Sequence, residues 1–368
     1  MKRIAIIGMG KMGSKYAKMI LDDKNLGYIL VASTRIRENN ALKLKDHLNE
    51  FKIYNSDQEL FKGFDNKEFE CDTILVSTPH YNHRYAVIEG FKRNLDVLCE
   101  KPAGVYLSDG REMLMNRGNN QYGFIFHQRR YPINVFLYDL LKSNKYGKVK
   151  RINYIVTDWF RTDAYYKSDY WRSTYKTDGG GTLLNQCPHS LDLLCYLFGM
   201  PKRLRAYCNE GKYHNIEVED DVTCYLEWDN GVTGVFIAST GEIPGINRME
   251  ISTDRAIIRV YPNNIEIISN EKNDKYYLGL PNESFKQDLN IEKYEFEKND
   301  AYYELIKLFN EGNVVASGED SLMSLYLSNA MYLSSWKGKD IELYEINSKA
   351  ELEFENEFEE EMKKHVKE

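Results

Sequence analysis

Residues 4–7, Ile4-Ala5-Ile6-Ile7, form an unbroken apolar run of strand length. Without polar alternation, such a run predicts a strand buried on both faces of a parallel sheet. Comparable runs follow at 28–32 (YILVA), 71–77 (CDTILVS) and 95–99 (LDVLC). Between the first two, residues 14–20 carry Tyr16, Ala17 and Ile20 on one helical face, and 85–93 also read as a helix. The pattern changes in the second half. Residues 148–157, 203–210, 221–228, 233–239 and 248–252 alternate apolar and polar positions, with Gly or Asn-Gly breaks between them. That period belongs to half-buried antiparallel strands, and Asp229-Asn230-Gly231 is a strong hairpin signal. Helices are predicted at 299–310 and 321–335, whereas 270–296 is Asn- and Lys-rich and reads as irregular. The tail, 351–368, mixes many acids with late lysines, the pattern of a solvated, frayed helix. No internal repeat or long linker interrupts the chain.

The turn after the first strand carries Gly8-Met9-Gly10-Lys11-Met12-Gly13, a GxGxxG spacing between a buried strand and a helix. In that setting Gly8 permits a tight turn, Gly10 lets backbone approach a pyrophosphate, and Gly13 lets helix and strand pack closely. The helix N-terminus adds unpaired N–H groups and partial positive charge. A dinucleotide site is the expectation. An NAD-specific site usually places an acid about 20 residues further on, to accept from the ribose hydroxyls. Here that position is Ser33, followed by Thr34, Arg35 and, two further on, Arg37. Small hydroxyls and arginine suit a 2′-phosphate, so NADP is slightly favoured over NAD. Ordinary solvated arginines after a strand are the alternative.

Two strand ends carry further candidates. Ser77-Thr78-Pro79 stops the third run where a parallel sheet presents its ligand-binding edge. Glu100-Lys101-Pro102 closes the fourth. A proline-locked lysine there can donate to a substrate oxygen or shuttle a proton, with Glu100 orienting the ammonium or the nicotinamide ribose. In the second half, GGGTLLNQCPHSLDLL (179–194) places Pro188 at a helix start, His189 in its first turn and Asp192 on the same face. His189 is a candidate general base, with a satisfied structural histidine as the alternative. Residues 158–175 hold Trp159, Trp171, Tyr165, Tyr166, Tyr170, Tyr175, Arg161 and Arg172. They read either as a sugar platform or as an aromatic contact surface.

Charge and cysteine content narrow the class. The 368 residues carry 49 Lys+Arg against 56 Asp+Glu, a formal net charge of −7. A mildly acidic chain without a basic block argues against nucleic acid and anionic membrane as partners. No apolar run approaches the ~18–20 residues of a membrane span, and residues 1–8 lead straight into a strand. A cytoplasmic location is expected. The six cysteines lie in apolar or strand-like contexts with no CxxC pair, which favours reduced core thiols over disulfides or zinc. No metal site is expected.

Taken in order, GMGKMG, STPHYNH, CEKPAG, the RRYP of 129–132 and the GGG-LLNQCPH-LDLL block resemble the glucose-fructose oxidoreductase and inositol dehydrogenase (Gfo/Idh/MocA) family. The likeness continues through VEDDVTCYLEWDNG (218–231) and SGEDSLMSLYLSNAMYLSS (317–335). The resemblance implies an α/β protein. An N-terminal Rossmann domain (1–122) is followed by a C-terminal α/β domain (123–368) whose large, open, mostly antiparallel sheet mediates homodimer or homotetramer contacts. By position, Lys101 and His189 match the family's catalytic lysine and histidine. His83, in the STPHYNH motif, is expected to bind cofactor, and Arg130 of RRYP, with Tyr166, Trp171 and Arg172 of the aromatic stretch, to bind substrate. Many relatives have an aspartate four residues before the histidine, where this chain has Asn185. An amide can hydrogen-bond a substrate hydroxyl but cannot compensate an imidazolium. Asn185 is therefore expected to position the substrate, as in the family branch in which sugars and sugar derivatives are common substrates.

The implied activity is reversible oxidation of a secondary hydroxyl on a sugar, glycoside or cyclitol. His189 serves as base, Lys101 as second proton-handling group and oxyanion stabiliser, and the nicotinamide lies between them. A second reading is glycoside cleavage by transient oxidation with a retained NAD. A third, a nucleotide sensor, has no use for Lys101 and His189.

Overall fold

The structure is a computed structural model that describes residues 1–168 and 172–367. It divides into two compact units: 1–130 with 300–325, and 131–299 with 326–368.

The first unit is built on a six-stranded sheet of β1 (Lys2–Ile7), β2 (Tyr28–Thr34), β3 (Lys52–Tyr54), β4 (Thr73–Val76), β5 (Asp96–Cys99) and β6 (Tyr122–Phe124). All pairings are parallel, in the order β3-β2-β1-β4-β5-β6. Ile4 to Ile7, Ile74 to Val76 and Val97 to Cys99 are fully enclosed, because helices cover both faces of a parallel sheet. The order reverses between β1 and β4, whose carboxyl ends lead into the glycine turn and into Ser77-Thr78-Pro79. A crevice outside such a reversal is where doubly wound sheets bind ligands. The returning segment 300–325 completes this unit, its helix Ala301–Asn310 burying Leu305, Ile306 and Phe309 in the core beneath β1 and β2.

The second unit holds a nine-stranded sheet of β7 (Val149–Val156), β8 (Arg203–Glu210), β9 (Glu219–Glu227), β10 (Thr233–Ser239), β11 (Asn247–Thr253), β12 (Ala256–Val260), β13 (Asn264–Asn270), β14 (Leu289–Glu295) and β15 (Ile341–Glu342). Its order is β14-β13-β12-β11-β7-β10-β9-β8-β15, antiparallel apart from β7 with β10. The Asp229-Asn230-Gly231 turn joins β9 to β10 as a hairpin. Alternate residues such as Cys224, Leu226, Phe236 and Ile251 fill the buried face.

Two expectations from the sequence are corrected. Residues 270–296 are not wholly irregular: β14 pairs with β13 from Asn264↔Glu295 to Asn270↔Leu289. As an edge strand β14 buries no residue fully, and its Leu289, Ile291 and Tyr294 are too sparse among polar residues to leave a strand signal. Nor is the tail merely solvated. Helix Lys349–His365 is N-capped by Ser348 and buries Phe354, Phe358 and Met362. Phe358 and His365 stack on Trp336, with ring centroids 5.9 and 4.3 Å away. Three apolar residues among many acids gave too sparse a stripe to read. None of the six cysteines is in a disulfide, and no described helix is long and apolar enough to cross a membrane.

Candidate active site

In the first unit the turn after β1 is fixed from three sides. Gly8 has φ +94°, and a Cβ on it would lie 2.4 Å from the Ser77 carbonyl oxygen. Its N–H donates to Thr34 Oγ1 at 2.9 Å. A Cβ on Gly13 would lie 2.1 Å from the Gly8 carbonyl oxygen, so that glycine is needed for packing. Gly10 differs. A Cβ there would meet nothing within 4 Å, and Gly10 caps helix Lys11–Asp22, which has neither a side-chain cap nor an acid in its first turn. Open space before an uncapped helix head suits a pyrophosphate. The residues present therefore fit the dinucleotide implied by the spacing. Met9 is buried, its carbonyl accepting from Ser14 Oγ and Asn40 Nδ2 at 3.2 and 3.3 Å. Met12 packs against the core, and Lys11 is exposed. Beyond β2, Ser33 is buried and donates to the Thr34 carbonyl at 3.1 Å. Arg35 and Arg37 are exposed and line an open recess with Ile36, Glu38 and Asn39.

At the ends of β4 and β5, His83 lies fully buried between two carbonyl oxygens, Thr78 at 2.8 Å and Pro102 at 2.9 Å. Burial lowers its pKa and the two carbonyls oppose that. It ties the loop carrying Thr78-Pro79 to the loop carrying Lys101-Pro102. The Ser77 N–H donates to the Ile7 carbonyl at 2.7 Å, which continues the sheet into that loop. Glu100 is buried and accepts from the Tyr16 hydroxyl and, at 3.2 Å, from the Lys101 N–H. Burial pushes its carboxyl up, against the pull of the Lys101 ammonium, the Tyr16 hydroxyl and the Lys15 ammonium.

Three residues nearby were missed by the sequence reading. The Lys15 ammonium lies 3.6 Å over the Tyr302 ring, and His127 stacks on Tyr302 at 3.9 Å. Burial, then Lys15 and Lys101, lowers the His127 pKa to about 3, which leaves it a neutral imidazole. No sequence pattern connects positions 15, 127 and 302. Arg130, expected on the substrate, forms an ion pair with Glu304.

In the second unit the glycine run packs against protein. Cβ atoms on Gly180 and Gly181 would lie 2.3 Å from the Tyr332 hydroxyl and 2.0 Å from the Glu219 carbonyl oxygen. The Glu219 side chain accepts from Gly181 N–H at 2.9 Å, Leu183 N–H at 2.7 Å and Tyr332 O–H at 2.7 Å. The chain then makes one wide π turn, Thr182–Gln186, closed by the Cys187 N–H on the Thr182 carbonyl at 2.8 Å. Such turns recur at functional sites because they re-aim side chains. Asn185 and Gln186 leave from it, and helix Pro188–Phe198 follows with Pro188 at its first position and His189 and Asp192 buried. Asn185 Nδ2 donates to Asp178 Oδ2 at 3.1 Å. A carboxylate thus orients the amide from seven residues upstream, a pairing the sequence spacing did not signal.

The aromatic stretch meets this turn through one tyrosine. The Tyr165 hydroxyl accepts from Gln186 Nε2 at 3.2 Å and from Arg172 Nη1 at 2.7 Å. Tyr166 is buried, with its hydroxyl 2.7 Å from Thr240 Oγ1, and supports the wall from behind. Trp171 and Tyr170, expected in the same wall, lie outside the described residues. The structure therefore assembles two groups of expected residues. The glycine turn, Ser77 to Pro79, His83, Glu100 and Lys101 belong to the first unit, and Tyr166, Arg172, Asn185 and His189 to the second.

Residues 2–119 match a family model described as an oxidoreductase family with an NAD-binding Rossmann fold, and 136–259 match the GFO/IDH/MocA C-terminal domain. The chain is 24% identical over 368 residues to myo-inositol 2-dehydrogenase of Thermotoga maritima, covering 94% of this chain and 99% of that one. Among solved structures, levoglucosan dehydrogenase in complex with NADH and L-sorbose aligns with a TM-score of 0.77 at 15% identity, over 95% of this chain and 100% of that chain. The WlbA dehydrogenase of Bordetella pertussis, in complex with NADH and UDP-GlcNAcA, aligns with a TM-score of 0.75 at 20% identity, over 94% and 99%. At those identities the two structures establish the fold alone.

Proposed function

We propose, for a chain that belongs to the Gfo/Idh/MocA family and is an NAD-binding oxidoreductase, that it moves a hydride between nicotinamide and a secondary hydroxyl of a sugar, sugar derivative or inositol. The observation that carries the reading is the open space at Gly10 before an uncapped helix head, in the same unit as the Glu100-Lys101 pair. Bound over that turn, the nucleotide supplies the hydride donor or acceptor. Gly8, Gly10 and Gly13 would shape its seat, and the uncapped amides of Lys11 and Met12 at the helix head would be available to its phosphates. His189 takes the hydroxyl proton in the oxidative direction. Lys101 steadies the developing alkoxide, and Asn185, held by Asp178, fixes a ring hydroxyl. The named relatives, which include an inositol dehydrogenase and structures holding sugars, support this substrate class. The open sheet face, with Tyr207, Tyr225, Ile257 and Ile291 exposed, supports assembly into a homodimer or homotetramer, and we place the reaction in the cytoplasm.

Proton transfer by a placed side chain is worth ~10²–10⁴-fold. His189→Ala should lower kcat by that order and leave NAD affinity, measured by calorimetry, nearly intact; an unchanged kcat removes His189 from the mechanism. For cofactor choice, the recess beyond β2 holds Arg35 and Arg37 but also Glu38. The arginines favour a 2′-phosphate and the acid opposes one. We retain NADP as slightly favoured. Calorimetry with both nucleotides decides it: Arg35→Ala should weaken NADP binding about 10-fold and NAD binding little, and tighter NAD binding by the unaltered protein overturns the preference.

A further inference from the structure

Two guanidinium groups converge on the Tyr165 ring: Arg161 4.9 Å and Arg172 4.4 Å from its centroid. Arg161 also lies 5.3 Å from the centroid of Trp159. Stacking of this kind holds a planar cation in place without using its N–H donors. The backbone of Arg161 is fixed at both ends. Its N–H donates to the Thr240 carbonyl at 2.9 Å, and its carbonyl accepts from His214 Nε2 at 2.8 Å. His214 is in turn held by the buried Asp220, with Nδ1 2.9 Å from Oδ2. A long, charged side chain is thus anchored at its base and stacked along its plane.

Two polar atoms in this cluster have no hydrogen-bond partner among the described residues. Arg161 Nε, a donor, and Gln186 Oε1, an acceptor, are both buried without a hydrogen bond among the described residues. Gln186 is 4% exposed, and its other amide atom is already bonded to the Tyr165 hydroxyl. No described carboxylate forms a salt bridge with Arg161, whose Nη1 donates only to the adjacent Phe160 carbonyl at 3.2 Å. Burying such groups unsatisfied costs free energy unless a ligand completes them. The donor calls for an anionic acceptor, and the acceptor calls for a hydroxyl.

We propose that Arg161 and Arg172 bind an anionic group, a carboxylate or a phosphate, carried by the sugar or polyol substrate, while Gln186 accepts from a neighbouring hydroxyl. This deepens the proposed function and rests on it, since Gln186 follows Asn185 and precedes His189 by three residues. The protein is then a dehydrogenase of acidic or phosphorylated sugars. Neutral ones are poorer substrates.

The test compares matched pairs on the full chain. Glucuronate and galacturonate supply the carboxylate, glucose 6-phosphate supplies the phosphate, and glucose and galactose are the neutral partners. The unaltered enzyme should show kcat/KM at least about 10-fold higher for one anionic arm than for its neutral partner, and the preferred arm identifies the group. The preference should fall as salt is raised. In Arg161→Ala the anionic-to-neutral ratio should drop about 10–100-fold, mainly through KM, the loss expected for a charge-assisted hydrogen bond. Arg161→Lys should restore part of it. Equal turnover of anionic and neutral partners, or an unchanged ratio in Arg161→Ala, overturns the proposal. If no sugar is oxidised, the proposed reaction fails. Calorimetry of the same sugars on NAD-loaded protein then decides the anion site alone: tighter binding of an acid or phosphate sustains it, and equal binding refutes it.

Discussion

Glu100 in the first unit and Glu219 in the second are both buried, and burial raises the pKa of each. Their company differs. Glu100 meets Lys101, Tyr16 and Lys15, so its remaining charge is answered by cations. Among the described residues Glu219 meets neutral donors, two backbone N–H groups and the Tyr332 hydroxyl, with Tyr175 and Cys208 also near enough to feel its charge. A carboxylate among ammonium groups sets the electrostatics of a site. One among amides sets the path of a backbone, here the glycine run and π turn that deliver Asn185, Gln186 and His189. The same side chain, buried in both units, lies beside ammonium groups in one and among amides and a hydroxyl in the other.

The most severe way to break this contrast is Glu219→Ala. Three donors lose their acceptor together, and at ~1–3 kcal/mol each the variant should lose about 3–9 kcal/mol of stability in urea titrations. Glu219→Gln, which keeps a carbonyl acceptor, should recover much of that. A loss below about 1 kcal/mol in Glu219→Ala would show that the run holds its path without the carboxyl.

A smaller effect concerns pH. The Glu219 pKa is pushed up from 4.5 to about 7, burial opposing the amides and Tyr332. Between those values the folded protein binds the proton and the unfolded chain has lost it, so stability falls as pH rises through the interval. Relative to Glu219→Gln, the unaltered protein should lose about 2–3 kcal/mol between pH 5 and pH 8. Parallel urea midpoints for the two proteins across that range would break the assignment.

The mildest test is Tyr16→Phe, which removes a hydroxyl from Glu100 but leaves its ammonium neighbours. A loss of about 1–2 kcal/mol in stability is expected. The pH profile of kcat should shift upward, because the carboxyl loses a donor that favours its charged form. An unchanged profile would separate Glu100 from the electrostatics of Lys101.

Much of the frame was legible from local pattern. Uninterrupted apolar runs gave β1, β2, β4 and β5, alternation gave β7 to β11, and the glycine spacing gave the turn at Gly8. Glu100-Lys101-Pro102 and Pro188-His189 could be read because proline and strand ends punctuate the sequence. The supporting partners could not. Asp178 on Asn185, Tyr16 on Glu100, the stack of His127 on Tyr302 and the grip of Glu219 on Gly181 join positions that no periodicity links. The short strands β3 and β6 and the polar edge strand β14 carried too few apolar residues to register.

By itself the sequence determined which segments become strands and helices, where a glycine turn opens a helix head, and which residue types could move a proton. These follow from side-chain period and from glycine and proline geometry, which act over a few neighbouring residues. Tertiary structure alone decided how each polar group is answered: that Gly10 opens on empty space while Gly180 and Gly181 are filled by protein, that Asn185 is held by Asp178, and that Arg161 Nε is buried with no hydrogen bond among the described residues. Burial and hydrogen bonding depend on groups distant in the chain that arrive only when the fold closes, so no local pattern encodes them.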